Sequence, residues 1–147
     1  MHSSNFSQRL ADAIRRARRV YIIGNGGSFA NAQHFQNDLE ACSIRAHTLN
    51  PATLTATAND DAYEYIFSKW IILHGELGDV LIAMSGSGKS PNILNAVKAA
   101  KLIGLDVWPI YGSERGEDMQ GAEESQVRIA HEVMRLLRAA APTASQS

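Results

Sequence analysis

Asp79-Val80-Leu81-Ile82-Ala83-Met84 running into Ser85-Gly86-Ser87-Gly88-Lys89-Ser90-Pro91 is the stretch on which the fold turns. Its first part is an almost unbroken apolar run, the pattern of a central parallel strand covered on both faces. The glycines and serines after it make a turn. Ser90 and Pro91 then have the chemistry of a helix start: a capping hydroxyl, and a residue whose fixed φ suits the first helical position. The helix expected there runs to Gly104, which is placed to close it in the left-handed conformation. Strand, glycine turn and helix in that order make a βα unit.

Outward from this unit the pattern repeats. Val20-Tyr21-Ile22-Ile23 reads as a strand that stops at Gly24-Asn25-Gly26-Gly27-Ser28, and a helix is expected from Phe29 to about Ala41. Before it, Phe6, Leu10, Ile14 and Ala17 mark a first helix reaching towards Arg19. Ile44 to Leu49 reads as a second strand. Asp60 or Asp61 is placed to cap a helix carrying Tyr63, Phe67, Trp70 and Leu73 or His74. Val107 to Gly112 reads as a fourth strand, near an edge because Pro109 cannot donate to a ladder. A polar connection from Ser113 to Ala122 leads to a last helix with Val127, Ala130 or His131, Met134 and Leu137 on its stripe.

Strands alternating with helices define the class: α/β, a single doubly wound parallel sheet of about four strands flanked by helices, with binding sites at the carboxyl ends of the strands. Residues 1–139 are expected to form one domain and 140–147 a disordered tail. Four strands make a thin sheet, so partner subunits are expected to cover part of the core.

Charge and composition narrow the function. Among 147 residues, 14 Lys and Arg stand against 15 Asp and Glu, a formal net charge of −1. Such a balance does not call for a nucleic acid or membrane surface as partner. Arg15-Arg16-Ala17-Arg18-Arg19 alternates with an apolar stripe and reads as a solvated helix face or a subunit contact. The apolar runs fall short of the roughly 20 residues a membrane helix needs. Cys42 is the single cysteine and cannot close an internal disulfide. The polar start MHSSNFSQR lacks the apolar stretch of a signal peptide, so the expected location is the cytoplasm.

Ser85, Ser87 and Ser90 offer hydroxyls, with Gly86 and Gly88 leaving backbone N–H groups unobstructed, at a helix N-terminus whose dipole favours an anion. A phosphate fits that chemistry. Ala83-x-x-x-x-Gly88-Lys89-Ser90 also satisfies a relaxed nucleotide-phosphate pattern. Against that reading, Ala83 falls inside the strand, Pro91 follows directly, and no later strand ends in an aspartate to hold Mg²⁺. His34 and Asp38, four apart, share a helix face and can converge on one proton or one metal.

Taken together the motifs resemble a known family. Gly24-Asn25-Gly26-Gly27-Ser28 with Ala32-Gln33-His34-Phe35, Thr57-Ala58-Asn59-Asp60 with Phe67-Ser68, and Gly78 to Ile82 running into Ser85-x-Ser87-Gly88-x-Ser90-Pro91-Asn92 are similar to the sugar isomerase (SIS) domain, a flavodoxin-type sheet. Within it they look most like the phosphoheptose isomerases, which convert sedoheptulose 7-phosphate to D-glycero-D-manno-heptose 7-phosphate. The resemblance covers about Val20 to Gly112 and resumes near His131.

The resemblance implies that Ser85, Ser87 and Ser90 hold the substrate phosphate, with Gly86 where the family usually has Thr. It implies that Asn25, Gly26, Gly27, Ser28, Asn59 and Asp60 line the sugar. Asp38 stands where the family has its catalytic Glu, and His131 where it has the partner acid/base. Glu123 stands in place of a Gln that contacts substrate, although Glu124 lies closer to the His131 face. Zinc, bound in some members, would be held by His34, Asp38, Glu123 and His131, and the expected assembly is a homotetramer. Four departures accompany these implications: the shorter Asp38, the charged Glu123, the missing strand between Gly112 and the last helix, and a short N-terminal helical segment. The expected function is therefore phosphosugar aldose–ketose isomerisation. The alternative is a non-catalytic SIS module that binds a sugar phosphate or a protein partner such as the replication initiator DnaA.

Overall fold

Alternate residues of the central strands go to opposite faces of the sheet, and each face meets its own set of helices. The computed structural model describes residues 2–139. In chain order it contains α1 (His2–Arg16), β1 (Val20–Ile23), α2 (Gly27–Ala41), β2 (Ala46–His47), α3 (Pro51–Asp60), α4 (Ile66–His74), β3 (Val80–Ser85), α5 (Pro91–Ile103), β4 (Asp106–Tyr111) and α6 (Met119–Ala139). Single 3₁₀ turns at Tyr63–Tyr65 and Gly112–Arg115 precede α4 and α6. All pairings are parallel and the strand order is β2-β1-β3-β4, with Val20, Tyr21, Ile22 and Ile23 in register with Val80, Leu81, Ile82 and Ala83.

Val20, Ile22, Val80, Ile82 and Met84 pack with Leu10 and Ile14 of α1, Phe35 and Leu39 of α2, and Ile129 and Val133 of α6. Tyr21, Ile23, Leu81 and Ala83 pack on the other face with Phe67 and Ile71 of α4 and Ile93, Ala96 and Ala100 of α5. This is the doubly wound parallel α/β sheet expected from the β3 run. β4 is an edge strand, as Pro109 requires, and Gly104 closes α5 with φ 94°. The 140–147 tail lies outside the described residues.

Several boundaries differ from expectation. α1 stops at Arg16 rather than Arg19, and the second strand contracts from 44–49 to Ala46–His47. Neither Asp60 nor Asp61 starts a helix. Asp60 is instead the last residue of α3, which begins with the Asn50 side chain accepting the Ala52 N–H at 2.8 Å and with Pro51 at the first position. α4 follows the Tyr63–Tyr65 turn, whose residues take the place of its first turn. In α6 the buried stripe is Ala122, Ser125, Gln126, Ile129, Ala130, Val133 and Leu137, so Val127 and Met134 lie at its margin. The relatively polar first half of α6 hides the phase of its stripe.

Candidate active site

Ser85 ends β3 and begins a loop that folds onto its own hydroxyls. The Gly88 N–H donates to Ser85 Oγ at 3.0 Å and the Lys89 N–H to Ser87 Oγ at 3.1 Å. A hydroxyl that accepts an amide proton still has its own proton to give. Both serines can therefore donate to an anion resting on the loop. Ser90 occupies the N-cap of α5 as expected, but its hydroxyl makes no capping bond and stays available. Gly88 has φ 68°, which a side chain rarely tolerates. Beside it the Tyr111 phenol is pushed above its usual pKa, first by burial and then by the charge of Glu114, and so stays neutral.

Gly86 stands where the resemblance implies Thr; its nearest neighbour from α6 is the movable end of the exposed Met119 side chain. A Cβ on Gly112, by contrast, would collide with the Ala122 Cβ. The short connection after β4 thus brings α6 down on the serine loop.

The other loop is tied to this one. Asn25 and Asn92 exchange two amide hydrogen bonds of 2.9 and 2.8 Å, and the Tyr63 hydroxyl donates to Asn25 Oδ1 at 3.0 Å. Asn92 is buried in the first turn of α5, so a polar pair links the glycine loop to the serine loop. Ser28, also buried, accepts from the Gln126 amide at 3.0 Å. Asn31 donates to the Glu123 carbonyl at 3.0 Å and to Gln126 Oε1 at 2.9 Å. These bonds hold α2 against α6.

Further along the same two helices lie His34, Asp38 and His131. His34 Nε2 is 3.2 Å from His131 Nε2 and 3.2 Å from Asp38 Oδ2. One ligand atom from each lies within 4.8 Å of the others. Asp38 is 8% exposed, deeper than either imidazole, and its Oδ2 is buried without a hydrogen-bond partner. A buried carboxylate oxygen lacking a bond, aimed at two imidazole nitrogens, fits a cation or a shared proton.

Glu123 is not in this cluster. Its carboxylate lies against Gly27 at the N-terminus of α2, where a Cβ would meet it, while Glu124 is exposed; the pattern left these two open, and Glu123 is the one that faces the glycine loop. Asn59 and Asp60 are exposed at the end of α3, where the Asn59 amide donates to Asp60 at 2.9 Å. No hydrogen bond among the described residues joins them to either loop. Sequence reasoning missed Asn31 and Gln126, which carry no motif, and left Asn92 without a role.

A family model described as the SIS domain matches residues 4–112. The chain belongs to the SIS domain family. Among its relatives, the phosphoheptose isomerase of Rhodospirillum rubrum is 40% identical over 113 residues, 71% of this chain and 60% of that protein. The phosphoheptose isomerase of Campylobacter concisus is 36% identical over 124 residues, 79% of this chain and 66% of that protein. This SIS domain thus spans less than two thirds of their length. In fold it is similar to the phosphoheptose isomerase of Neisseria gonorrhoeae, with a TM-score of 0.84 and 24% identity over 95% of this chain and 86% of that one. The NanR protein of Vibrio vulnificus, complexed with ManNAc-6P, shares the SIS fold at a TM-score of 0.73 and 15% identity, over 97% of this chain and 57% of that one.

Proposed function

We propose that this chain is a phosphosugar aldose–ketose isomerase that converts sedoheptulose 7-phosphate to D-glycero-D-manno-heptose 7-phosphate. The observation that carries the reading is the convergence of His34, Asp38 and His131 from two helices bonded to one another. Moving a proton between two sugar carbons needs a base near one carbon and a group that relays protons between two oxygens. In this reading the phosphate rests on the Ser85, Ser87 and Ser90 hydroxyls and the α5 amides. Asn25, Gly26, Gly27, Ser28, Asn59, Asp60 and Glu123 contact the sugar. Asp38 removes the C1 proton and exchanges it with solvent, the C1–C2 enediol forms, and Asp38 delivers a proton to C2 as His131 moves a proton between the oxygens on C1 and C2.

His34, Asp38 and His131 are an acceptable zinc set of two neutral imidazoles and a carboxylate, and a bound ion would supply Lewis-acid polarisation of the sugar carbonyl. Glu123 is left out of that set because its carboxylate lies on Gly27. We place the protein in the cytoplasm with its phosphorylated substrate; among the described residues no helix is long and apolar enough to cross a membrane. We carry over the homotetramer that the resemblance implies; Ile72, Leu73, Leu77 and Leu102, which are 60–82% exposed, support association of copies and not their number.

Binding without turnover is the second reading, favoured by one observation: Asp38 is both a methylene shorter than the implied Glu and nearly buried. A single experiment separates the two. Purified protein is incubated with sedoheptulose 7-phosphate and aldose formation is followed. Turnover that Asp38→Asn lowers by about 10² or more supports the isomerase. A wild type that makes no aldose, yet is stabilised by the sugar phosphate in a way Ser87→Ala abolishes, supports the binding module.

A further inference from the structure

We propose that the cleft between β1, β2, α3 and α4 is a second binding site, for a small organic anion with an aromatic body. The cleft holds about 910 Å³, within the roughly 300–1,000 Å³ of small-molecule sites. No residue of the serine loop, the glycine loop or the His34/Asp38/His131 cluster lines it.

It exists because this end of the sheet lacks a closely packed helix. β2 is two residues long, and none of the residues of α3 is buried. Tyr21, Leu49 and Ile66, each at most 3% exposed, close its bottom, and the half-buried Trp70 with the exposed Leu73 forms its apolar wall. The Tyr21 and Trp70 rings stand perpendicular with centroids 5.3 Å apart, and the Tyr21 and His47 rings lie 5.5 Å apart. The half-buried Trp70 ring, backed by Tyr21, is the surface the cleft offers to a flat apolar body.

The charge at the cleft is not balanced. Arg18 is paired with Glu76 and Asp79, and Lys69 with Asp61. Arg19 has no carboxylate partner among the described residues. Its Nη1 lies 3.1 Å from His47 Nε2. A guanidinium can only donate, so that nitrogen accepts and the imidazole is neutral, its proton on Nδ1. Burial, and then Arg19 itself, lower the His47 pKa in keeping with this. A half-buried guanidinium whose nearest partner is a neutral ring leaves a positive charge uncompensated where solvent is restricted, and an anion supplies the compensation. The arginine run before β1, read from sequence as a solvated face or subunit contact, thus contributes two of its members to this cleft. The Thr53 and Thr57 hydroxyls of α3 are available to the polar end of the same ligand, whereas the Thr48 hydroxyl already donates to Gln36 Oε1 at 2.6 Å.

The proposal is independent of the isomerase reading. Its test is calorimetric titration of the full chain with 1-naphthoate and with its uncharged amide, 1-naphthamide. The expected result is one naphthoate per chain, bound at least tenfold more tightly than the amide. Arg19→Gln should remove that tenfold difference, Thr53→Phe should abolish binding by filling the cleft, and Ser87→Ala should leave naphthoate binding as it is. Arg19→Gln is checked for an unaltered melting temperature, and Thr53→Phe, on an exposed position, stands in if Arg19→Gln is unstable. Equal binding of acid and amide, binding lost in Ser87→Ala but kept in Arg19→Gln, or no naphthoate binding up to millimolar concentration would overturn the proposal. So would a second copy of the chain occluding the cleft, seen as Thr53→Phe dissociating an oligomer that naphthoate leaves intact.

Discussion

The two faces of the sheet are packed to different purposes. On the α1, α2 and α6 face, Phe35, Leu39, Ile129 and Val133 are fully buried, and Gly112 lets α6 approach so closely that a methyl group would collide with the Ala122 Cβ. On the other face α4 and α5 bury one side each, α3 buries nothing, and Ile72, Leu73 and Leu102 stand in solvent. The close-packed face holds the His34, Asp38 and His131 side chains. Proton transfer depends on placement to a fraction of an ångström, and helices locked by packing and by the Asn31–Gln126 and Ser28–Gln126 bonds provide it. The loosely covered face is left for association and for ligands that tolerate an adaptable wall.

The largest effect expected from breaking this division is on turnover. His131→Ala should lower the rate with sedoheptulose 7-phosphate by about 10²–10⁴, the usual worth of a general acid or base. Thermal stabilisation by the same sugar phosphate should persist, because Ser85, Ser87 and Ser90 hold the phosphate from the other end of the site. Equal loss of binding and turnover would place His131 in ground-state binding instead.

Next comes stability. Phe35→Ala on the packed face should cost about 3–5 kcal/mol in chemical denaturation. Leu73→Ala, at 77% exposure, should stay within about 0.5 kcal/mol in dilute protein. A larger loss that grows with protein concentration would show that Leu73 is buried by another subunit.

Asp38→Glu sharpens the comparison with a smaller effect. It restores the reach that the resemblance implies, in a helix pair that has closed around the shorter acid. Activity that holds or rises means the packed face keeps room for the longer side chain. A fall in activity at unchanged melting temperature means the cluster has re-formed around Asp38.

The smallest effect is a pH dependence on the open face. His47 has a folded pKa below its ordinary value, chiefly from burial, so the unfolded chain takes up its proton first as pH falls. Its contribution is therefore complete above about pH 6.5 and is lost on acidification below that. His47→Gln should flatten the melting temperature between about pH 7 and the lowered His47 pKa; a slope identical to wild type would contradict the assignment.

What could be read from the chain divides along the same line. β1 and β3 were legible because parallel strands covered on both faces are apolar without interruption, β4 because Pro109 marks an edge strand, and Gly104 because a helix end needs a left-handed residue. α3 was not, since its stripe is only Leu54 and Ala58, which pack half-buried on the core while no residue of the helix is fully buried. The pairing of His34 with Asp38 followed from helical spacing, whereas their meeting with His131 depends on the long-range contact of α2 and α6. Glu123 followed the motif's spacing into the metal set, but the collapse of α6 onto Gly27 gave its carboxylate another neighbour. Gln126 was invisible because a buried amide that bonds two helices looks, in sequence, like any polar residue of a surface helix.

The most direct test of the packed-face active site is to run the reaction in D₂O and observe the product by NMR. Asp38 and His131 acting as exchangeable proton carriers predict an aldose 7-phosphate with solvent deuterium at C2, formed by the wild type and about 10²–10⁴-fold more slowly by His131→Ala. No aldose from the wild type, or an aldose free of solvent deuterium, would contradict it.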